Sequence, residues 1–267
     1  MTRFDSARAW REASGNLAAN RDVLLALAGV FFMLPWLAFM LLVPEPAIDS
    51  GMAPAEAVKA MGAFLRQNGG WLLGLVLVQS AGTLSVLALC GDPARPTVRD
   101  AIRRGTIGVL PHLGALLLFA VGFSLVAGLL GALATTGGKG GEMLVGLALN
   151  LVLVYATVRL MMIAPVIAVE QNFQPWRVLV RAWRLTRGNF GRVLVFLLLL
   201  VLAGQVIMAV VGMVVGGGVG LIAGAEAGRF AEDLASAAMI ALFLLTITSA
   251  LAAIHNQLAG PWSGSAH

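Results

Sequence analysis

Six times along this chain an apolar stretch runs long enough to cross the hydrocarbon core of a bilayer, which is about 30 Å thick and takes about 20 helical residues. The stretches fall near residues 22–43, 70–90, 110–134, 143–168, 193–215 and 236–257. Lipid offers no partner to a backbone N–H or C=O, so each stretch has to satisfy its own backbone by forming a helix. The rest of the chain agrees, with 59% of residues hydrophobic, 12% charged and a mean hydropathy of +0.90, values foreign to a soluble domain. The expected fold is all-α: a polytopic membrane protein of about six transmembrane helices, with residues 1–267 forming one integral membrane domain. The first stretch is too long for a signal-peptide core and lacks a small-residue cleavage site behind it, so it reads as a retained span.

Orientation follows from Lys and Arg, which concentrate in cytoplasmic loops. Arg3, Arg8, Arg11 and Arg21 precede the first span. Arg95, Arg99, Arg103 and Arg104 occupy the second loop, and Arg177, Arg181, Arg184, Arg187 and Arg192 the fourth. The alternate loops hold only Lys59, Arg66, Lys139 and Arg229. Thirteen against four places both termini in the cytosol of a multi-pass protein. With the basic residues so close to the spans, the expected partners are membrane phospholipids and their anionic headgroups on the cytoplasmic side, not nucleic acid.

The sequence also repeats itself. Residues 8–17 read R-A-W-R-E-A-S-G-N-L and residues 181–190 read R-A-W-R-L-T-R-G-N-F, identical at six of ten positions. A shorter copy without the Trp, R-D-A-I-R-R-G-T, lies at 99–106. Each copy precedes an apolar span, so the chain reads as three parallel hairpin repeats near 1–91, 92–173 and 174–267, each opening with an interfacial amphipathic helix. In the third copy Trp176, Leu179, Val180 and Trp183 form an apolar stripe opposite Arg177, Arg181 and Arg184. Pro175 starts that helix, and Gly188 is expected to stop it in a left-handed cap before Asn189 starts the next. Gly15 with Asn16, and Gly105 with Thr106, predict the same stop. Such helices serve either as anchors or as a lipid or partner site. The glycines at 204, 212, 216, 220 and 224 share one helix face and allow close packing, within the chain or in a homo-oligomer, while Gly216–Gly218 could also end the fifth span.

Reactive chemistry is sparse. No nucleophile-and-base pattern, phosphate loop or metal-ligand spacing occurs, so no catalytic residue, metal site or cofactor is expected. His112 and His255 sit at span ends, His267 lies at the end of the chain, and Cys90 is the only cysteine. Buried polar candidates are Gln79, Asn150 and Gln205 within spans, with Thr83 beside Gln79, and Glu170 at a span end. Arg159 is the one ionisable residue inside a span, where it costs about 2.5–3.5 kcal/mol on insertion scales. Glu170, eleven residues on, shares its helix face but lies about 16 Å away. Two readings remain open for Arg159: either it snorkels to the cytosolic headgroups or clamps carbonyls freed near Pro165 and an amide such as Gln205, or it faces an internal cavity and holds an anionic group such as a lipid phosphate. Arg177, Arg181, Arg184 and Arg187 complete the lipid or anion contacts.

The segment 159–193, in which a span ending A-P-V-I-A-V-E is followed by a Pro and then R-A-W-x-L-T-x-G-N, resembles the membrane domain of glycerophosphoryl diester phosphodiesterase and the related YciC-like bacterial inner-membrane proteins. The resemblance implies the six-helix membrane module and a bacterial inner-membrane address. The soluble phosphodiesterase barrel is absent, so hydrolysis is not implied. The expected function is non-enzymatic, in membrane-lipid or envelope homeostasis or in organising a membrane-protein partner. The alternative is a small transporter or channel whose pathway between the repeats is lined by Asn150, Gln79 and Gln205. In a Cys90→Ala background, cysteines placed at Lys139 and Arg229 should react with an impermeant thiol reagent outside the cell, while one at Arg187 should not; the reverse pattern contradicts the orientation.

Overall fold

A computed structural model describes residues 3–44, 46, 48, 51–92, 94 and 96–260. Arg95 and His267 lie outside the described residues. Among those described, every regular element is helical, and six helices are long and apolar enough to cross a membrane. The chain is an integral, multi-pass membrane protein.

Helix α1 (Ser6–Ala19) is started by Asp5, whose carboxylate accepts the Arg8 N–H at 3.0 Å. That hydrogen bond, ahead of the Arg11 and Arg8 charges, holds the Asp5 carboxyl below its ordinary range. Contrary to the sequence expectation, α1 does not stop at Gly15 but runs on to Ala19. Asn16 is spent elsewhere, donating to the Cys90 carbonyl at 3.2 Å. The first span joins α2 (Arg21–Ala28) to α3 (Leu34–Leu42) through a π-helical stretch, Gly29–Met33. There the Leu34 N–H reaches back to the Gly29 carbonyl, widening the turn just ahead of Pro35, whose ring would crowd a regular one.

Helices α4 (Pro54–Gly91) and α5 (Val98–Ala134) are longer than one crossing needs. At 1.5 Å per residue each measures about 55 Å, so it tilts or runs past the hydrocarbon. Thr97 and Asp100 cap α5 reciprocally, with the Thr97 Oγ1 accepting the Asp100 N–H at 3.2 Å and donating to its carboxylate at 2.8 Å. The expected break at Gly105 and Thr106 is absent, for α5 continues through both. Gly105 is needed for its size rather than for a turn: a Cβ there would meet the Ala81 carbonyl oxygen at 2.7 Å.

The fourth span is interrupted. α6 (Gly138–Leu160) ends at a turn over Met161 and Met162, and α7 (Ile163–Glu170) restarts with Pro165 in its first turn. A missing N–H matters little there, so Pro165 marks a restart instead of kinking one continuous helix. α7 is buried from Ile163 to Val169. After Gln171, which adopts a left-handed φ of 51°, α8 (Pro175–Leu185) follows. Gly188 takes φ 83°, the expected left-handed stop, and α9 (Phe190–Ala223) begins. It passes through Gly216–Gly218 without ending, and turns at Gly224 into α10 (Ala225–Ala259). The glycine face of α9 packs within the chain: Gly204 lies under Phe243, Gly216 beside Glu232 and Gly220 against Gly228.

One end of the bundle carries most of the core. Buried residues of α1, α4, α7, α8, α9 and the last turns of α10 form a continuous cluster there. α1 is tied to it by polar bonds: the Phe4 N–H donates to Asn189 Oδ1 at 2.9 Å, the Asp5 N–H to Gln257 Oε1 at 3.1 Å, and Asn256 Nδ2 to Glu12 Oε1 at 2.9 Å. The first and third sequence copies bury corresponding positions, Ala9 with Ala182 and Ala13 with Thr186, and leave Trp10 and Trp183 partly uncovered.

Candidate functional site

Arg159 lies at the last turn of α6 and is only 6% exposed. A charge so placed needs replacement solvation, and the chain supplies it locally. Its Nη1 donates to the Trp183 carbonyl at 2.8 Å and to the Thr186 Oγ1 at 3.2 Å. Three rings close around the guanidinium carbon, with centroids at 4.7 Å (Tyr155), 4.8 Å (Trp183) and 5.8 Å (Phe190). Tyr155 is one helical turn before Arg159, so both project from the same face of α6. Trp183 comes from α8 and Phe190 from the first residue of α9. Among the described residues no carboxylate lies within ion-pair distance of Arg159. Desolvated cation–π contacts reach about 2 kcal/mol each and a hydrogen bond from a charged donor about 1.5–3 kcal/mol. These contacts offset the insertion cost of the arginine, even though its Nε is buried without a hydrogen-bond partner among the described residues.

A second polar group locks α8 from its other side. Arg181 Nε donates to both oxygens of Glu170, at 3.1 and 2.9 Å. His255, 1% exposed on α10, places Nε2 3.0 Å from Glu170 Oε1. Glu170 thus holds α7, α8 and α10 together. His255 is a buried member of this group, not the interfacial ring its position at a span end suggested, and its Nδ1 is buried without a hydrogen-bond partner among the described residues. His112 is half-buried, and its Nδ1 too has no hydrogen-bond partner among the described residues.

The sequence-chosen residues therefore separate. Arg159 binds the chain itself, and Gln205 is not its partner. Arg181 is committed to Glu170. Arg177, Arg184 and Arg187 are exposed, without a carboxylate partner among the described residues. The face of α8 turned to the core is Val178, Ala182 and Leu185. Trp176, 70% exposed, and Trp183, 42% exposed, flank that face instead of forming it. Two of the expected buried amides are corrected. Asn150 is exposed between Leu147 and Leu151, both more than half exposed, because the bundle covers only the last turns of α6. It satisfies one donor on the Gly146 carbonyl at 3.3 Å. Gln205 is exposed beside Leu202 and Val206, one residue past the glycine that packs on Phe243. Gln79 is half-buried, with an Nε2 that finds no hydrogen-bond partner among the described residues. Glu170 is half-buried and fully engaged.

Cys90, half-buried, places its Sγ 3.9 Å from Ser249 Oγ. Among the described residues no group of three His, Cys, Asp or Glu side chains is placed to hold a metal ion. Comparison of the chain with family models, with curated proteins and with solved structures gives no match in any of the three.

Glu170→Leu should leave the buried His255 without its partner and lower stability by about 1–3 kcal/mol, while Arg181, 43% exposed at its side chain, turns to solvent. Glu170→Gln, which keeps an acceptor, should cost less. Thermal unfolding in detergent reads both, and a Glu170→Leu protein as stable as wild type contradicts the lock.

Proposed function

We propose that this is a non-enzymatic protein of a bacterial inner membrane, with both termini cytosolic, that engages membrane phospholipid through α8 in the service of membrane-lipid or envelope homeostasis, or of organising a membrane-protein partner. The observation that carries the reading is the way α8 is held. Its small apolar face is fixed to the bundle by Arg159 and Glu170, while Arg177, Arg184 and Arg187 have no carboxylate partner among the described residues and Trp176 and Trp183 flank them. Unpaired arginines beside tryptophans suit an anionic headgroup layer, where a ring settles at the interface and a guanidinium meets phosphate.

Support also comes from the sequence. Thirteen of the loop cations fall on the side assigned to the cytosol, and the segment 159–193, which carries the resemblance to the phosphodiesterase membrane domain and the YciC-like proteins, includes Arg159, Glu170 and all of α8. The transporter alternative is less well served, because Asn150 and Gln205, two of its three proposed pathway residues, lie among exposed leucines and valines.

Each basic residue near an anionic leaflet contributes about 1 kcal/mol. Replacing Arg177, Arg184 and Arg187 together by Gln should therefore weaken retention of anionic lipid by roughly 100-fold. The lipid co-purifying with the full chain, quantified against bulk membrane, is the readout. Wild type should be enriched in anionic phospholipid and the triple variant should match the bulk; identical profiles contradict the proposal.

A further inference from the structure

The bundle covers α6 only at its last turns, and ahead of them the helix carries an amide into the membrane. Along α6 the nearest charged residues to Asn150 are Glu142 and Arg159, about 12 Å and about 14 Å away at 1.5 Å per residue. The amide therefore lies in the middle of an apolar run, at hydrocarbon depth. Its Nδ2 spends one N–H on the Gly146 carbonyl at 3.3 Å, while the second N–H and the Oδ1 have no partner among the described residues. Acyl chains offer none either. An amide so placed is unfavourable until another span supplies the hydrogen bonds.

The face around Asn150 shows which span that is. Met143, Leu147, Asn150, Val154 and Thr157 are all exposed, and Met143, Leu147 and Val154 are more than half exposed. Their positions step by four, three, four and three, the heptad seam along which two helices pack side by side at a shallow crossing angle. From Met143 to Thr157 the seam rises about 21 Å, some two-thirds of the hydrocarbon core. Its complement is a parallel or antiparallel span with a polar side chain at the depth of Asn150. A second copy of this chain meets that requirement without further assumption. Copies in one membrane share one orientation, so a two-fold axis along the membrane normal sets α6 parallel to α6 and each residue opposite itself. A carboxamide holds both a donor and an acceptor, so Asn150 complements its own counterpart in a reciprocal pair of hydrogen bonds.

We propose that α6 is the interface through which two copies of this chain associate in the membrane, with the two Asn150 amides hydrogen-bonded across the two-fold axis. The interface goes beyond the reading of α8 and owes nothing to its arginines. Met143, Leu147 and Val154 exchange acyl chains for one another's side chains, a swap of like for like that gives close packing and little net hydrophobic gain. The amide pair supplies what the apolar positions cannot, because one Asn in such a seam fixes both the register and the number of helices.

Cysteines placed along α6 of the full chain in a Cys90→Ala background, oxidised in native membranes, test the seam. Leu147→Cys and Val154→Cys should each give a disulfide-linked dimer. Val152→Cys, more than half exposed but on the opposite side of α6, should stay monomeric. Fluorescently labelled copies of the full chain, diluted into phosphatidylcholine vesicles and read by energy transfer, test the amide. Asn150→Leu should raise the dissociation constant of the dimer by roughly tenfold, the scale of an interhelical amide contact in a bilayer. Asn150→Gln keeps a donor and an acceptor and should preserve most of the association. Linking through Val152→Cys as strong as through Leu147→Cys overturns the interface, as does a wild-type chain that stays monomeric at every density. An Asn150→Leu chain that associates like wild type overturns it as well. So does linkage of Leu147→Cys to a different polypeptide in place of a second copy, because the face then belongs to another protein.

Discussion

A guanidinium among apolar helices has to be solvated by the protein, and the way Arg159 is solvated determines where α8 can sit. Its hydrogen bonds run to one carbonyl and one hydroxyl of α8 and the turn that follows, and its π partners come from α6, α8 and α9. Trp183 contributes twice, with its carbonyl and its ring. Because no carboxylate is within reach among the described residues, the charge is balanced by dipoles and ring faces. These are directional, so they fix position and rotation together.

From that constraint the rest of the α8 region follows. With Trp183 and Thr186 held at Arg159, the helix turns Val178, Ala182 and Leu185 inward and Arg181 reaches Glu170, which His255 approaches from α10. The remaining arginines are left outside. Two buried polar groups thus orient one short amphipathic helix whose own hydrogen bonds and apolar area could not hold it at a defined angle. The polar groups act here less as sources of stability than as fixings of geometry, which suits the proposal that the outer face of α8 meets lipid.

Much of the architecture was legible in the sequence because lipid leaves so little freedom. Apolar length alone located all six spans, and Gly188 announced its left-handed turn. Local signals fail where packing between distant helices decides the outcome. Gly15 and Gly105 were read as stops on the strength of φ freedom, yet Gly105 is required for the close approach of α4 and Gly15 is simply helical. Asn150 and Gln205 were read as buried because amides in spans usually are, whereas the bundle covers only one end of α6 and one face of α9. The partners of Arg159 lie 24 and 27 residues away and those of Glu170 lie 11 and 85 away. Separations of that kind carry no periodic signal, so the cage and the Glu170 group emerge only once the chain has folded back on itself.

The central claim is that Arg159 fixes α8 to the bundle through its aromatic cage. Hydrogen–deuterium exchange of the full chain in lipid nanodiscs tests it most directly, comparing wild type with Arg159→Ala. The account predicts that amides of residues 178–185 are protected in wild type and lose that protection in the variant, while those of α9 and α10 around Gly204 and Phe243 keep theirs. Undiminished protection of α8 in Arg159→Ala would contradict it.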